Sequence, residues 1–284
     1  MTASARTVAR TAGSPGPDFD VRAYISGAGG LAGVANVVMQ LGWPAVGYGV
    51  KESRVPSGSA MVHPLKRART TFTYLAVALI GTEADRRAFR RAVNRQHARV
   101  RSDDHSPVAY NAFDPDLQLW VAACLYYGFA DVLRRVRGPL GDAEADALYR
   151  YCSRFGTTLQ VRPESWPADR QAFAAYWEQA VQRVRIDDTM RDYLTALVGL
   201  RNMPRLAQVL FGPANRFWTT GFLPPPFREQ MQLAWTDSRE AVFQQILRRI
   251  GQVESVLPVQ VRVLPFEALL MDMRLRLRLG RPLV

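Results

Sequence analysis

The chain has 284 residues and a mass of 31.9 kDa, enough for one large domain or two small ones with a sizeable core. Hydrophobic residues at 48% and charged residues at 22% exclude a disordered, collagenous or coiled-coil chain, and a mean hydropathy of -0.13 excludes a polytopic membrane protein. The formal net charge is +12 and the pI about 10.4, which invites an anionic partner. However, Lys51 and Lys66 are the only lysines, and the arginines are spread along the whole chain rather than clustered. That pattern fits GC-rich coding better than a nucleic-acid surface.

Met1–Asp20 has Ser, Gly, Pro and scattered Arg but no apolar core, so it reads as a disordered tail and not as a secretory signal. Val21–Val50 is small and apolar with clustered glycines. It lacks the strand that must precede a dinucleotide-binding Gly-x-Gly-x-x-Gly loop, so it reads as helices packed through small residues. A polar loop at Lys51–Met61 follows, then a helix over Pro64–Ile80 with Pro64 in its first turn. Thr82, followed by Glu83 and Asp85, starts a helix expected to run to about Val100. Asp114 and Pro115 open another, through Trp120 and Phe129 to Leu133, which is nearly free of charge and reads as a buried central helix. Further helices are expected over Asp142–Phe155, Arg170–Arg185, Thr189–Val198, Asn202–Leu210, Phe227–Trp235 and Ser238–Val256. Gly212-Pro213 ends the fourth of these, and a short extended piece between Pro258 and Pro265 precedes a last helix, Phe266–Arg278. The expectation is a single all-α domain over residues 21–284. Cys124 and Cys152 have no paired spacing, so no disulfide framework is expected.

Three histidines confine the search for chemistry. His63 and His105 fall in loops and read as solvated. His97 follows Phe89 and Val93 at helical spacing, which places it on an inward helix face. No other His, Cys or carboxylate stands at a spacing that completes a zinc or di-iron site with it. A lone neutral imidazole on an apolar face can instead be the single protein ligand of haem iron, with the aromatic helix around Trp120 as a cavity wall. Arg67 and Thr71, an i, i+4 pair on the preceding helix, would bring a charge and a hydroxyl to the same place. Glu52, just upstream, is a candidate general base.

Gln40–Gly47, Pro64–Arg67 with Thr71, Arg95–Val100, Tyr110–Asp116, Leu119–Val121, Leu223–Arg228 and Leu257-Pro258 occur in an order that resembles the family joining the mycophenolic-acid oxygenase mpaB to the latex-clearing rubber oxygenases. The resemblance spans roughly Val21 to Met273. It implies an all-α fold enclosing a central haem b pocket, with His97 as axial ligand and Arg67 and Thr71 in the pocket. Thr70 stands where rubber oxygenases carry a lysine able to cap the iron, and Trp43 and Glu52 stand where many members have histidine. The expected function is therefore a cytoplasmic haem-dependent oxygenase that uses O2 on a hydrophobic small molecule, with no nucleic acid and no integral membrane association. Trp120 is added to His97, Arg67 and Thr71 as a cofactor-contacting residue. The competing readings are a haem or lipophilic-ligand carrier without turnover and a basic helical nucleic-acid-binding protein.

Overall fold

The computed structural model describes residues 19–53, 55 and 59–284. The expected tail thus lies outside the described residues except for Phe19 and Asp20, as does part of the loop at 51–61. Asp20 accepts from the Arg22 N–H at 3.0 Å and caps a 3-10 turn, Val21–Tyr24; Ser26 caps a second, Gly27–Gly30. Everything else regular among the described residues is helical apart from one isolated bridge, Arg101 to Asn111, so the fold is all-α. The helices are α1 (Gly33–Leu41), α2 (Pro44–Lys51), α3 (Pro64–Ile80), α4 (Glu83–His97), α5 (Pro115–Arg137), α6 (Asp142–Cys152) and α7 (Arg154–Thr157). They are followed by α8 (Arg170–Val181), α9 (Asp188–Val198), α10 (Arg205–Phe222), α11 (Pro225–Gln230), α12 (Asp237–Val256) and α13 (Val259–Arg278).

The central helix is α5. The Asp114 carboxylate accepts from the N–H groups of Asp116 and Leu117, Pro115 occupies the first helical position, and Gly138 at φ 87° ends it. Its two faces serve two apolar clusters. Trp120, Cys124, Val132 and Val136 face one built mainly with α1, α2 and α9–α12. Ala122, Leu125, Tyr126 and Leu133 face the other, built with α3, α4, α6–α8 and α13. A helix apolar on both sides is stable only when sandwiched in this way. The glycine-rich opening packs as its small residues suggest: a Cβ on Gly42 would sit 3.0 Å from Phe227, and one on Gly47 2.7 Å from the Leu41 carbonyl. Where α12 crosses α5 there is no clearance at all, since a Cβ on Gly251 would lie 1.9 Å from the Val136 carbonyl oxygen.

Several boundaries differ from the sequence reading, among them the end of the helix expected over Phe227–Trp235, which spans Pro225–Gln230, and three differ for a tertiary reason. The helix opened by Thr82 stops at His97, because the chain folds back there: Ala112 N–H donates to the Val100 carbonyl at 3.0 Å and Ser102 N–H to that of Tyr110 at 2.9 Å. The helix expected to end before Gly212-Pro213 runs through both residues. Gly212 fits against the Gly199 carbonyl, the Asn215 side-chain amide donates to the Val198 carbonyl at 2.8 Å, and the turns beyond bury Thr219 and Phe222. The extended piece at 259–264 is helical and continuous with the last helix, through Pro265. Burial of Val263, Leu270 and Met273 against α3 and the first turn outweighs the one backbone hydrogen bond an exposed proline removes.

The α3–α4 pair carries the candidate site. Thr82 and Asp85 form a reciprocal capping box at the start of α4. Asp85 is buried, which alone would raise its pKa, but Arg274 of α13 and Thr82 outweigh burial and hold the carboxyl below its usual range. Arg69 of α3 pairs with Asp272 of α13 at 3.4 Å. α13 is thereby fastened to both α3 and α4.

Candidate functional site at the start of α3 and the end of α4

His97 is the last residue of α4 and is partly buried, not in mid-helix on a closed face. Its Nδ1 is sealed from solvent and has no hydrogen-bond partner among the described residues, so none of them fixes its tautomer there. The returning chain sets Phe113 edge-on to the ring, with centroids 6.2 Å apart. Burial, reinforced by the Arg67 charge, lowers its pKa from 6.5 to about 4. A helix C-terminus favours imidazolium by roughly 0.3–1 kcal/mol. A shift of this size is worth about 3 kcal/mol the other way, so desolvation decides and the ring is neutral at neutral pH.

Arg67 lies one turn into α3. Its side chain is exposed, although the protein crowded around it desolvates it enough to lower its pKa. Its guanidinium has no carboxylate or carbonyl partner among the described residues. It lies close enough to His97 to repel a proton from it, and close enough to Tyr193 of α9 to stabilise that phenolate. Burial raises the Tyr193 pKa and Arg67 opposes the rise. The Thr71 hydroxyl donates to the Arg67 carbonyl at 3.1 Å and the Thr70 hydroxyl to that of Lys66 at 3.0 Å. Both protons are thus committed to the α3 backbone and both oxygens keep lone pairs as acceptors.

Of the residues singled out in the sequence, Arg67 lies within electrostatic reach of His97, and Thr71 follows it one turn along α3. Glu52 caps the end of α2 and its carboxylate accepts from Ser106 Oγ at 2.9 Å and Tyr110 OH at 3.0 Å. It ties down the segment that follows His97 and is not a free base. Trp120 is placed in solid core: fully buried, parallel to Trp43 at 4.8 Å and to Trp177 at 5.3 Å, with its indole N–H donated to the Gln40 carbonyl. Trp43, Trp177 and Phe227 stack on that ring. His63 and His105 are exposed, as loop residues. Tyr193 was missed by the sequence reading, since it carries no motif and only the packing of α9 brings it to Arg67.

Among the described residues, no group of three His, Cys, Asp or Glu could hold a metal ion, and no helix is long and apolar enough to cross a membrane. The model of the family described as ER-bound oxygenase mpaB/B′/rubber oxygenase, catalytic domain, matches residues 21–252. The chain is 48% identical over 254 residues to uncharacterized proteins of Mycobacterium bovis and of Mycobacterium tuberculosis, covering 89% of this chain and 100% of each relative. No solved structure matches it. With the all-α fold and a match over most of its length, the chain belongs to the mpaB/rubber oxygenase catalytic-domain family.

Proposed function

We propose that the protein is a haem b-dependent oxygenase that acts on a hydrophobic small molecule and O2, with His97 as the one protein ligand of the iron. The observation that carries this is the pairing of a neutral imidazole, its Nδ1 buried without a partner among the described residues, with an arginine that has no carboxylate beside it. An imidazole must be unprotonated to ligate a metal, and His97 is held so by burial. An unpaired, desolvated guanidinium is costly unless an anionic ligand group completes it, and a haem carboxylate or a polarised substrate oxygen would do so. Haem, when bound, supplies the redox chemistry with O2, and the protein supplies orientation, charge and exclusion of water.

In this reading Arg67 balances negative charge and Tyr193 flanks it. Thr71 offers an acceptor oxygen, and Glu52 acts through Ser106 and Tyr110 to position the segment after His97. Trp120 contributes packing alone. The test is the absorption spectrum of the purified protein with haem supplied during expression. A Soret band in the wild type, lost in His97→Ala while the variant keeps its helical circular dichroism, is the expected result. Full haem content in His97→Ala removes the assignment. Haem binding without oxygen uptake on lipophilic substrates would instead make the protein a carrier.

A further inference from the structure

α13 lies beyond the family match, which ends at residue 252. Its inner face is accounted for: Val263, Leu270 and Met273 are buried, and Asp272 and Arg274 pair with Arg69 and Asp85. Its outer face is also apolar. Val261, Leu264, Ala268, Met271 and Leu275 are all exposed, with Met271 at 68% and Leu264 at 60%. Their spacing is three, four, three and four residues, which makes one straight stripe. A helix apolar on all sides is one that is covered on all sides.

We infer that this stripe is the interface of a two-fold dimer, in which α13 of one copy packs against α13 of another. Three observations point to a second copy. The stripe has the heptad spacing by which helices interlock. Three of the four arginines of α13 are engaged within the molecule, Arg262 donating to the Ala23 and Ile25 carbonyls, Arg274 to Asp85 and Arg276 to Asp272, which leaves Arg278 at the helix end to face solvent. The exposed area of the stripe is on the order of 500 Å² per copy, so that a symmetric pair reaches the ~1,000 Å² at which specific interfaces begin. A two-fold axis sets the stripe against itself, and no other complementary surface is needed. The same helix braces α3, so pairing would hold the segment bearing Arg67 from behind.

Sedimentation-velocity analysis of the full chain between 1 and 100 µM is the test. A concentration-dependent dimer is expected. Met271→Glu combined with Leu264→Glu should weaken association at least tenfold while leaving the circular dichroism unchanged. Val209→Glu, on an exposed apolar position of α10, should leave it intact. A wild-type monomer at 100 µM, or a dimer undisturbed by the double variant, overturns the proposal. So does co-sedimentation with phosphatidylglycerol vesicles that the double variant abolishes, since the stripe would then be a lipid contact. None of these readouts depends on haem.

Discussion

His97 gives up its proton about 2.5 pH units below an ordinary histidine, and that displacement has a price in acid. Its folded pKa is depressed, so between pH 6.5 and 4 the unfolded chain binds more protons and stability falls as the pH drops through that window. For the protein free of any ligand the loss attributable to this ring approaches about 3 kcal/mol by pH 4. Denaturant titrations of the wild type and His97→Gln at intervals from pH 7 to 4 would show it, with the variant losing less. Parallel slopes would mean an imidazole that titrates normally. Arg67 poses the complementary case, a cation without a partner. Arg67→Met should weaken haem retention at least tenfold while changing the stability of the unliganded fold little, since solvent screens the exposed guanidinium. A variant that is destabilised and still retains haem would show the guanidinium to be structural.

At the scale of the helices, α3 and α4 are held by Asp85, which closes the capping box and receives Arg274 of α13. Asp85→Asn should cost about 2–3 kcal/mol, since it weakens a cap and strands a charge; chemical denaturation checks it, and a loss below 0.5 kcal/mol would mean that α13 is held by apolar contacts alone. Such local chemistry is what the sequence discloses. α3 runs from Pro64 to Ile80 as expected, and Thr82 marks the start of α4. Asp114 and Pro115 mark the start of α5. Pro213 and Pro265 misled because a proline's cost is local and its compensation, the burial of Thr219 and Phe222 or of Val263 and Leu270, comes from distant helices. The same division holds in the site. The pairing of Arg67 with Thr71 is legible because four residues of one helix separate them. Tyr193 is not, because α9 meets α3 only in the folded chain. Trp120 was misplaced because an aromatic stripe looks the same whether it lines a cavity or fills a core.

The whole molecule turns on α5, and its tightest point is the crossing with α12. Gly251→Ala would press a methyl into the Val136 carbonyl and lever α12 away, for a loss above about 3 kcal/mol or a failure to fold. Gly30→Ala, where an added methyl meets nothing within 4 Å, is the control. Thermal melts of the two should differ by many degrees; similar midpoints would show that the crossing yields. Both cysteines belong to the layers around this axis, each fully buried and each with its thiol pKa raised by desolvation. Neither sulfur can react with a water-borne disulfide reagent until the surrounding helices part. The rate at which native protein is labelled therefore clocks how often its interior breathes, with Cys124 sampling α5 itself and Cys152 the adjoining α6.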